Sequence, residues 1–382
     1  MRVVHLLKTS VGATWALRQM RELVNLGVEV HAVMPPGGSL IDMYKKFGVI
    51  VHEHDISFTF NPLKMRRTIL FLRYVVEKYN PDIIHSHFVI TTIFMRLALR
   101  QNSKIPRVFQ VPGPMHLEYY LFRRIELALA NKNDHWIASC EWTRNCYKRL
   151  GIDPARIYFS YYGVDIDSFF PRKTNNLRKE LNLSRDVKLV GIVAFMYAPR
   201  AYLCQKRGNK GHEDLIDAIA ICRSRGLNIK CIMVGGAWAE GHRYEERVRR
   251  YAERRCGDAV VCLGTRGDVP DLYPDFDIVV HPSHSENVGG AVESLLLGRP
   301  TITTNVGGLP DLVKDGETGW LVPPKSPKAL ADKIEYALTH YDEAARLAEN
   351  GKRLCMEMFD IRKNARDVFD AYRNILARYR EQ

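Results

Sequence analysis

The sequence predicts an α/β protein built from two Rossmann-like, doubly wound parallel-sheet domains facing a cleft. Three observations lead there. Short apolar runs alternate with amphipathic stretches almost from end to end, as in repeated β–α units. The alternation breaks once, near residue 171, and then restarts. The length of 382 residues exceeds what one ordinary core serves and suits two domains.

In the first half the strand-like runs are RVVHLL (2–7), VEVHAVM (28–34), VIVHEH (49–54), DIIHSHF (82–88), PRVFQV (106–111), HWIAS (135–139) and IYFSYY (157–162). Helical periodicity falls between them, notably over Trp15–Leu26 and Leu63–Tyr79. Pro171 and the polar stretch 172–186 read as a linker followed by a short helix. The strand pattern resumes with VKLVGIVAF (187–195), IKCIMVGG (229–236), AVVCLG (259–264), DIVVHPS (277–283) and PTITTNVGG (300–308), and the chain is helical beyond Pro327. The expected domains are therefore 1–170, 171–358 and a carboxyl-terminal helix, 359–382, crossing back to the first. Ligands bind at the carboxyl ends of the strands of such sheets. Neither half carries Gly-x-Gly-x-x-Gly after its first strand, which argues against a dinucleotide cofactor.

Composition narrows the classes. No apolar run approaches the ~18 residues of a membrane span, and Lys8 ends the first apolar stretch too early for a signal-peptide core. The eight cysteines form no Cys-x-x-Cys pair, so they read as reduced core residues of a cytoplasmic protein. The net charge is +13, and residues 1–170, with 22 Lys and Arg against 14 Asp and Glu, hold +8 of it. A basic surface attracts phosphates and anionic lipid. LKMRRTILFLRYVVEKY (63–79) and YYLFRRIELALANK (119–132) are basic and amphipathic, a pattern shared by helices on a sheet and helices on an anionic membrane. No nucleic-acid module is present, so nucleic acid is not an expected partner. His85 and His87 stand at i and i+2 of a strand end and face one way, but the sequence offers no evident third ligand, and no metal is expected.

The chemistry concentrates in HPSHSENVGGAVESLLLGRPTITTNVGGLPDLV (281–313). A strand ends in a polar loop, Gly289 and Gly290 follow, and a helix begins whose free N–H groups suit a diphosphate. Glu293 falls about one turn in, where a carboxylate either accepts two ribose hydroxyls or complements the helix dipole. His281 and His284 flank the segment as pocket-wall candidates.

This segment resembles the donor-binding signature of the retaining glycosyltransferases of family four (group 1), which have the two-Rossmann B-type fold. Gly12, SCEWTRNCYKRLGI (139–152), YYGVDIDSFFP (161–171), KGHEDLIDAIA (210–220), VGG (234–236) and LGTRGDVPDLY (263–273) resemble further pieces of the family pattern, so the likeness covers nearly the whole chain. It implies a hexosyltransferase-type enzyme that moves a sugar from a nucleotide-sugar, UDP-sugar favoured, to a saccharide or lipid-linked acceptor, without metal or other cofactor. It implies polysaccharide or glycolipid assembly at the inner face of the membrane. The first domain would bind the acceptor and the second the donor. By the same resemblance Glu293 holds the ribose and Glu286 faces the transferred sugar. Asn287, Val288, Gly289 and Gly290 lie near the diphosphate, with Gly12 on the acceptor-side loop. Lys210 counters charge on the leaving group, and His116 stands near the sugar.

Two departures accompany it. Six residues separate Glu286 from Glu293, against seven in the family. Phe195 stands where the family places an arginine, so Arg200 or Arg207 is expected to supply that cation, with Lys206 alongside. These departures keep open a sugar-nucleotide epimerase on the same fold, or an inactive nucleotide-sugar-binding relative.

Overall fold

The computed structural model describes residues 1–99, 103–169, 176–238 and 241–380. The linker expected at Pro171 lies in 170–175, outside the described residues. The chain divides into two compact units, one of residues 1–165 with 358–382 and the other of residues 166–357.

The first unit holds seven strands: β1 (Arg2–Leu6), β2 (Glu29–Met34), β3 (Ile50–Glu53), β4 (Ile83–Ser86), β5 (Arg107–Phe109), β6 (Asp134–Ala138) and β7 (Ile157–Phe159). All pair in parallel in the order β3-β2-β1-β4-β5-β6-β7. Parallel strands need a crossover, and helices supply it. Both faces are therefore covered, and alternate residues serve opposite cores. Val3, Val30 and Ile83 join the core that includes Leu17 and Met20 of helix Thr14–Asn25 and Val368, Ala371 and Tyr372 of the carboxyl-terminal helix Ile361–Arg380. Val4, Leu6, Val33 and Ile84 join the opposite core with Leu72 and Val75 of helix Pro62–Tyr79. That helix starts where Asn61 caps it, its side chain accepting from Leu63 N at 3.0 Å, with Pro62 at the first turn. Helix Ile361–Arg380 is thus part of the first unit's core.

The second unit holds β8 (Lys188–Val193), β9 (Ile229–Val234), β10 (Val260–Gly264), β11 (Ile278–His281), β12 (Thr301–Thr304) and β13 (Trp320–Val322), all parallel in the order β10-β9-β8-β11-β12-β13. Val190, Ile192, Cys231 and Val280 face helix His212–Ser224, while Leu189, Ile232 and Val279 face the other side. Strand β13 went unread in the sequence because its three residues sit between the turn-rich stretches DGETG and PPKSP. The expected run 157–162 is strand only over Ile157–Phe159. All eight cysteines are free. Among the described residues no helix is long and apolar enough to cross a membrane.

Candidate active site

The order of the second sheet reverses between β8 and β11, and a doubly wound sheet opens a crevice at such a point. A pocket of about 410 Å³ lies there, lined from the carboxyl ends of β8, β9, β10 and β11 and from the loops that follow. Every residue lining it belongs to the second unit.

Two loops bring its charges together. After β8 the chain runs to Lys210 and Gly211, and helix His212–Ser224 starts. Gly211 has φ +72°, and a Cβ there would sit 2.0 Å from the Pro282 carbonyl oxygen. Only glycine lets this turn press against the loop after β11. The contact places Lys210 on Glu286, where ammonium and carboxylate form an ion pair. Burial works against the Lys210 charge, but Glu286 outweighs it and holds the ammonium's pKa above its ordinary value. The Lys210 ammonium also lies 5.9 Å from the centroid of Tyr197.

The Glu286 carboxylate also accepts from the backbone N–H of Asn287 at 3.1 Å and from the Ser283 hydroxyl at 3.4 Å. Gly289 takes φ +48°, and a Cβ there would meet the Glu286 carboxyl carbon at 2.7 Å. The loop therefore folds back over its own glutamate, which is how six intervening residues suffice before Glu293. Gly290 lines the pocket, and helix Ala291–Leu296 follows it. Glu293, in the first turn, lines the pocket beside Tyr273. Burial first, and then the Glu293 charge, hold the Tyr273 phenol well above its ordinary pKa. His281, at the end of β11, is lowered to about 3 by burial and secondarily by Lys210, so it is neutral.

Lys210, Glu286, Gly290 and Glu293 are thus gathered in one pocket, with Gly289 folded on Glu286. Asn287 and Val288 are buried and their side chains do not line it. The arginine expectations need correction. Arg207 does not line the pocket, because Asp214 and Asp217 hold its guanidinium on the flank of the next helix. Arg200 is exposed ahead of the turn Ala201–Leu203 and does not line it either. Where the arginine was expected, Phe195 lines the pocket and stands edge-on to Trp238, ring centroids 5.1 Å apart. The second cation on the wall is Arg266, at the end of β10, bonded to Glu180 at 2.7 Å and to Asp268 at 2.7 Å. Arg266 lies within LGTRGDVPDLY (263–273), and a basic residue just past a strand end was the available signal for it. His284 bonds Asp214 and stands outside the wall, whereas His281 is part of it.

The remaining expected residues lie in the first unit. Gly12, at φ +70°, precedes helix Thr14–Asn25 and is exposed. His116 is buried with both ring nitrogens bonded, Nδ1 to the Gly113 carbonyl at 3.2 Å and Nε2 to the Tyr147 hydroxyl at 3.0 Å. A carbonyl only accepts, so Nδ1 carries the proton and Nε2 accepts from Tyr147. Burial lowers its pKa to about 4. A sugar hydroxyl would have to displace one of these partners.

Two family models and several known proteins resemble this chain. Residues 12–168 match the family model described as Glycosyltransferase Family 4, and residues 202–354 match the one described as Glycosyl transferases group 1. The capsular polysaccharide biosynthesis glycosyltransferase CapM of Staphylococcus aureus is 24% identical over 371 residues, covering 92% of this chain and 91% of CapM. The D-inositol 3-phosphate glycosyltransferase of Corynebacterium glutamicum is 31% identical over 216 residues, which is 52% of this chain and 47% of that protein. Among solved structures, Anabaena HepE in complex with UDP-glucose superposes with a TM-score of 0.79 at 21% identity, covering 97% of this chain and 98% of HepE. A glycosyltransferase from Rickettsia africae gives 0.79 at 20% identity, covering 98% of each chain. Two parallel α/β units, a pocket at the sheet reversal and two family models spanning both halves converge: the chain belongs to the group 1 glycosyltransferases of family 4, of the two-Rossmann B-type fold, and is a glycosyltransferase.

Proposed function

We propose that the second unit binds a UDP-sugar and that the enzyme transfers the sugar, with retention at the anomeric carbon, to a saccharide or lipid-linked acceptor bound by the first unit. The observation that carries this reading is the Lys210–Glu286 pair facing Glu293 across one pocket. Without ligand the two charges satisfy each other. A diphosphate would take over the Lys210 ammonium, and Glu286 would turn to the hydroxyls of the transferred sugar. Glu293 would accept from the ribose. As the glycosidic bond breaks, negative charge grows on the diphosphate, and a cation already in place stabilises it without reorganisation. Arg266 shares its charge with Glu180 and Asp268, so Lys210 carries the larger part. No metal or other cofactor is invoked. UDP is favoured because HepE, of the same fold, is described with UDP-glucose. Surface-polysaccharide assembly is favoured because CapM is described in that role.

The first unit supports work in the cytoplasm at an anionic membrane face. Helix Pro62–Tyr79 buries Thr68, Leu72 and Val75, yet leaves Leu63, Leu70 and Tyr74 exposed beside Arg66 and Arg67. Helix Tyr120–Ala128 exposes Tyr120 and Leu121 next to Arg124. Such faces bind anionic lipid through both apolar area and charge. Sedimentation with anionic vesicles at low salt tests this, and failure to bind removes it.

The reaction is tested by following UDP release from UDP-sugars with and without candidate acceptors, with the product anomer assigned by NMR. Acceptor-dependent release with the donor's anomeric configuration is expected. Consumption of the donor without any acceptor would mark an epimerase, and donor binding without turnover a binding-only relative.

A further inference from the structure

The first unit carries a side-chain cluster that sugar transfer does not use. His5 on β1 and His85 on β4 are paired in register, and His87 follows two residues on, so all three rings point to one face of the sheet. The three are fully buried. Their centroids lie 4.9 Å apart for His5–His85, 5.2 Å for His5–His87 and 4.2 Å for His85–His87. One nitrogen from each ring lies within 4.8 Å of the other two.

The hydrogen bonds of His87 and His5 fix where their protons sit. The Tyr162 hydroxyl donates to the Gln110 carbonyl at 3.0 Å, so it accepts from His87 Nδ1 at 2.8 Å. His87 Nε2 then carries a lone pair and accepts from His5 Nδ1 at 2.9 Å. His5 Nε2 is left as a lone pair, buried and without a partner among the described residues. His85 is bonded through Nδ1 to the Tyr372 hydroxyl, and its Nε2 is likewise buried without a partner among them. Burial lowers the pKa of all three rings. Orphaned buried nitrogens are rare and call for an unseen partner.

We infer that His5, His85 and His87 form a binding site for one imidazole-preferring divalent metal ion of the zinc or cobalt type. Neutral imidazole is the ligand such ions favour. Metal-bound histidines characteristically bond through their other nitrogen to a fixed partner, as His87 does to Tyr162 and His85 to Tyr372. Tetrahedral zinc separates its nitrogens by about 3.3 Å, so the rings would turn inward from a spread of up to 4.8 Å, and the His5 Nδ1–His87 Nε2 hydrogen bond would give way as that Nε2 lone pair goes to the ion. The fourth position is left to a solvent-derived ligand. The site is structural: it ties β1 and β4, through Tyr372, to helix Ile361–Arg380.

The test uses the full-length, tag-free chain after dialysis against chelator. Addition of Co²⁺ should produce the visible absorption of tetrahedral cobalt at one equivalent per chain, and Zn²⁺ should displace it. X-ray absorption on the zinc-loaded protein should show a nitrogen and oxygen shell without sulfur. In His5→Asn and His85→Gln the cobalt signal should fall at least tenfold, with folding checked by circular dichroism and by UDP binding. The inference is overturned if the wild type takes up no cobalt, which would leave a buried water as the partner. A sulfur shell, or an undiminished signal in folded variants, overturns it equally, because the free cysteines would then be the ligands.

Discussion

The two units share one topology and use it differently. Order β3-β2-β1-β4 in the first repeats as β10-β9-β8-β11 in the second, and each has a histidine on the strand across the reversal, His85 on β4 and His281 on β11. In the second unit the space beside that histidine is an open pocket lined by four charged groups, Lys210, Arg266, Glu286 and Glu293. In the first it is filled by His5, His87, Trp15 and Tyr162, with Trp15 4.5 Å from Tyr162. The difference lies in the loops. Gly211 lets two chain segments approach and Gly289 folds its loop on Glu286, which brings Lys210 and Glu286 together in the pocket, whereas stacked imidazoles occupy the corresponding place in the first unit. Strand order creates the place for a site, and the residues just past the strand ends decide whether charge or packing occupies it.

Substitutions sharpen this contrast. Lys210→Met should have the largest effect, a fall in kcat of ~10²–10³, as for loss of a preorganised stabilising group. Glu286→Gln should lower kcat too, by ~10-fold or more, while UDP affinity is retained or improves as Lys210 loses its competing partner. Loss of UDP affinity instead would break the exchange of Lys210 between Glu286 and diphosphate. In the first unit the effects should appear in stability. His116 titrates at about 4 folded, against an ordinary ~6.5, so the unfolded chain binds the extra proton between those values. Its contribution is complete above pH ~6.5 and is lost as pH falls towards 4, by up to ~1.4 kcal/mol per pH unit. Denaturant unfolding of His116→Phe should therefore show a shallower acid limb than the wild type. Arg207→Ala should have the smallest effect: kcat and UDP affinity within about threefold of wild type, and stability lower by at most ~1 kcal/mol, since its ion pairs are partly exposed. A large kinetic loss would restore Arg207 as the missing cation.

Much of this was legible in the sequence, and the illegible parts share a cause. Strand periodicity revealed both sheets up to β12, and the glycines and glutamates of 286–293 lie where the pocket is. The partners of long side chains were hidden. Arg266 stands just past the end of β10 and reaches the pocket wall, whereas the Asp214 and Asp217 partners that hold Arg207 away from it are not legible from local pattern. The third imidazole was hidden because His5 meets His85 only through the pairing of β1 with β4, strands 80 residues apart in the chain. Local periodicity reads which face a residue takes, and sheet order decides what it meets there.

The central claim is that Glu293 and the pocket around it hold the donor nucleotide. Calorimetric titration of UDP into the wild type and Glu293→Ala tests it most directly. Loss of charged hydrogen bonds of roughly 1.5–3 kcal/mol should weaken binding by ~10–100-fold. An affinity for UDP unchanged from the wild type would contradict the account.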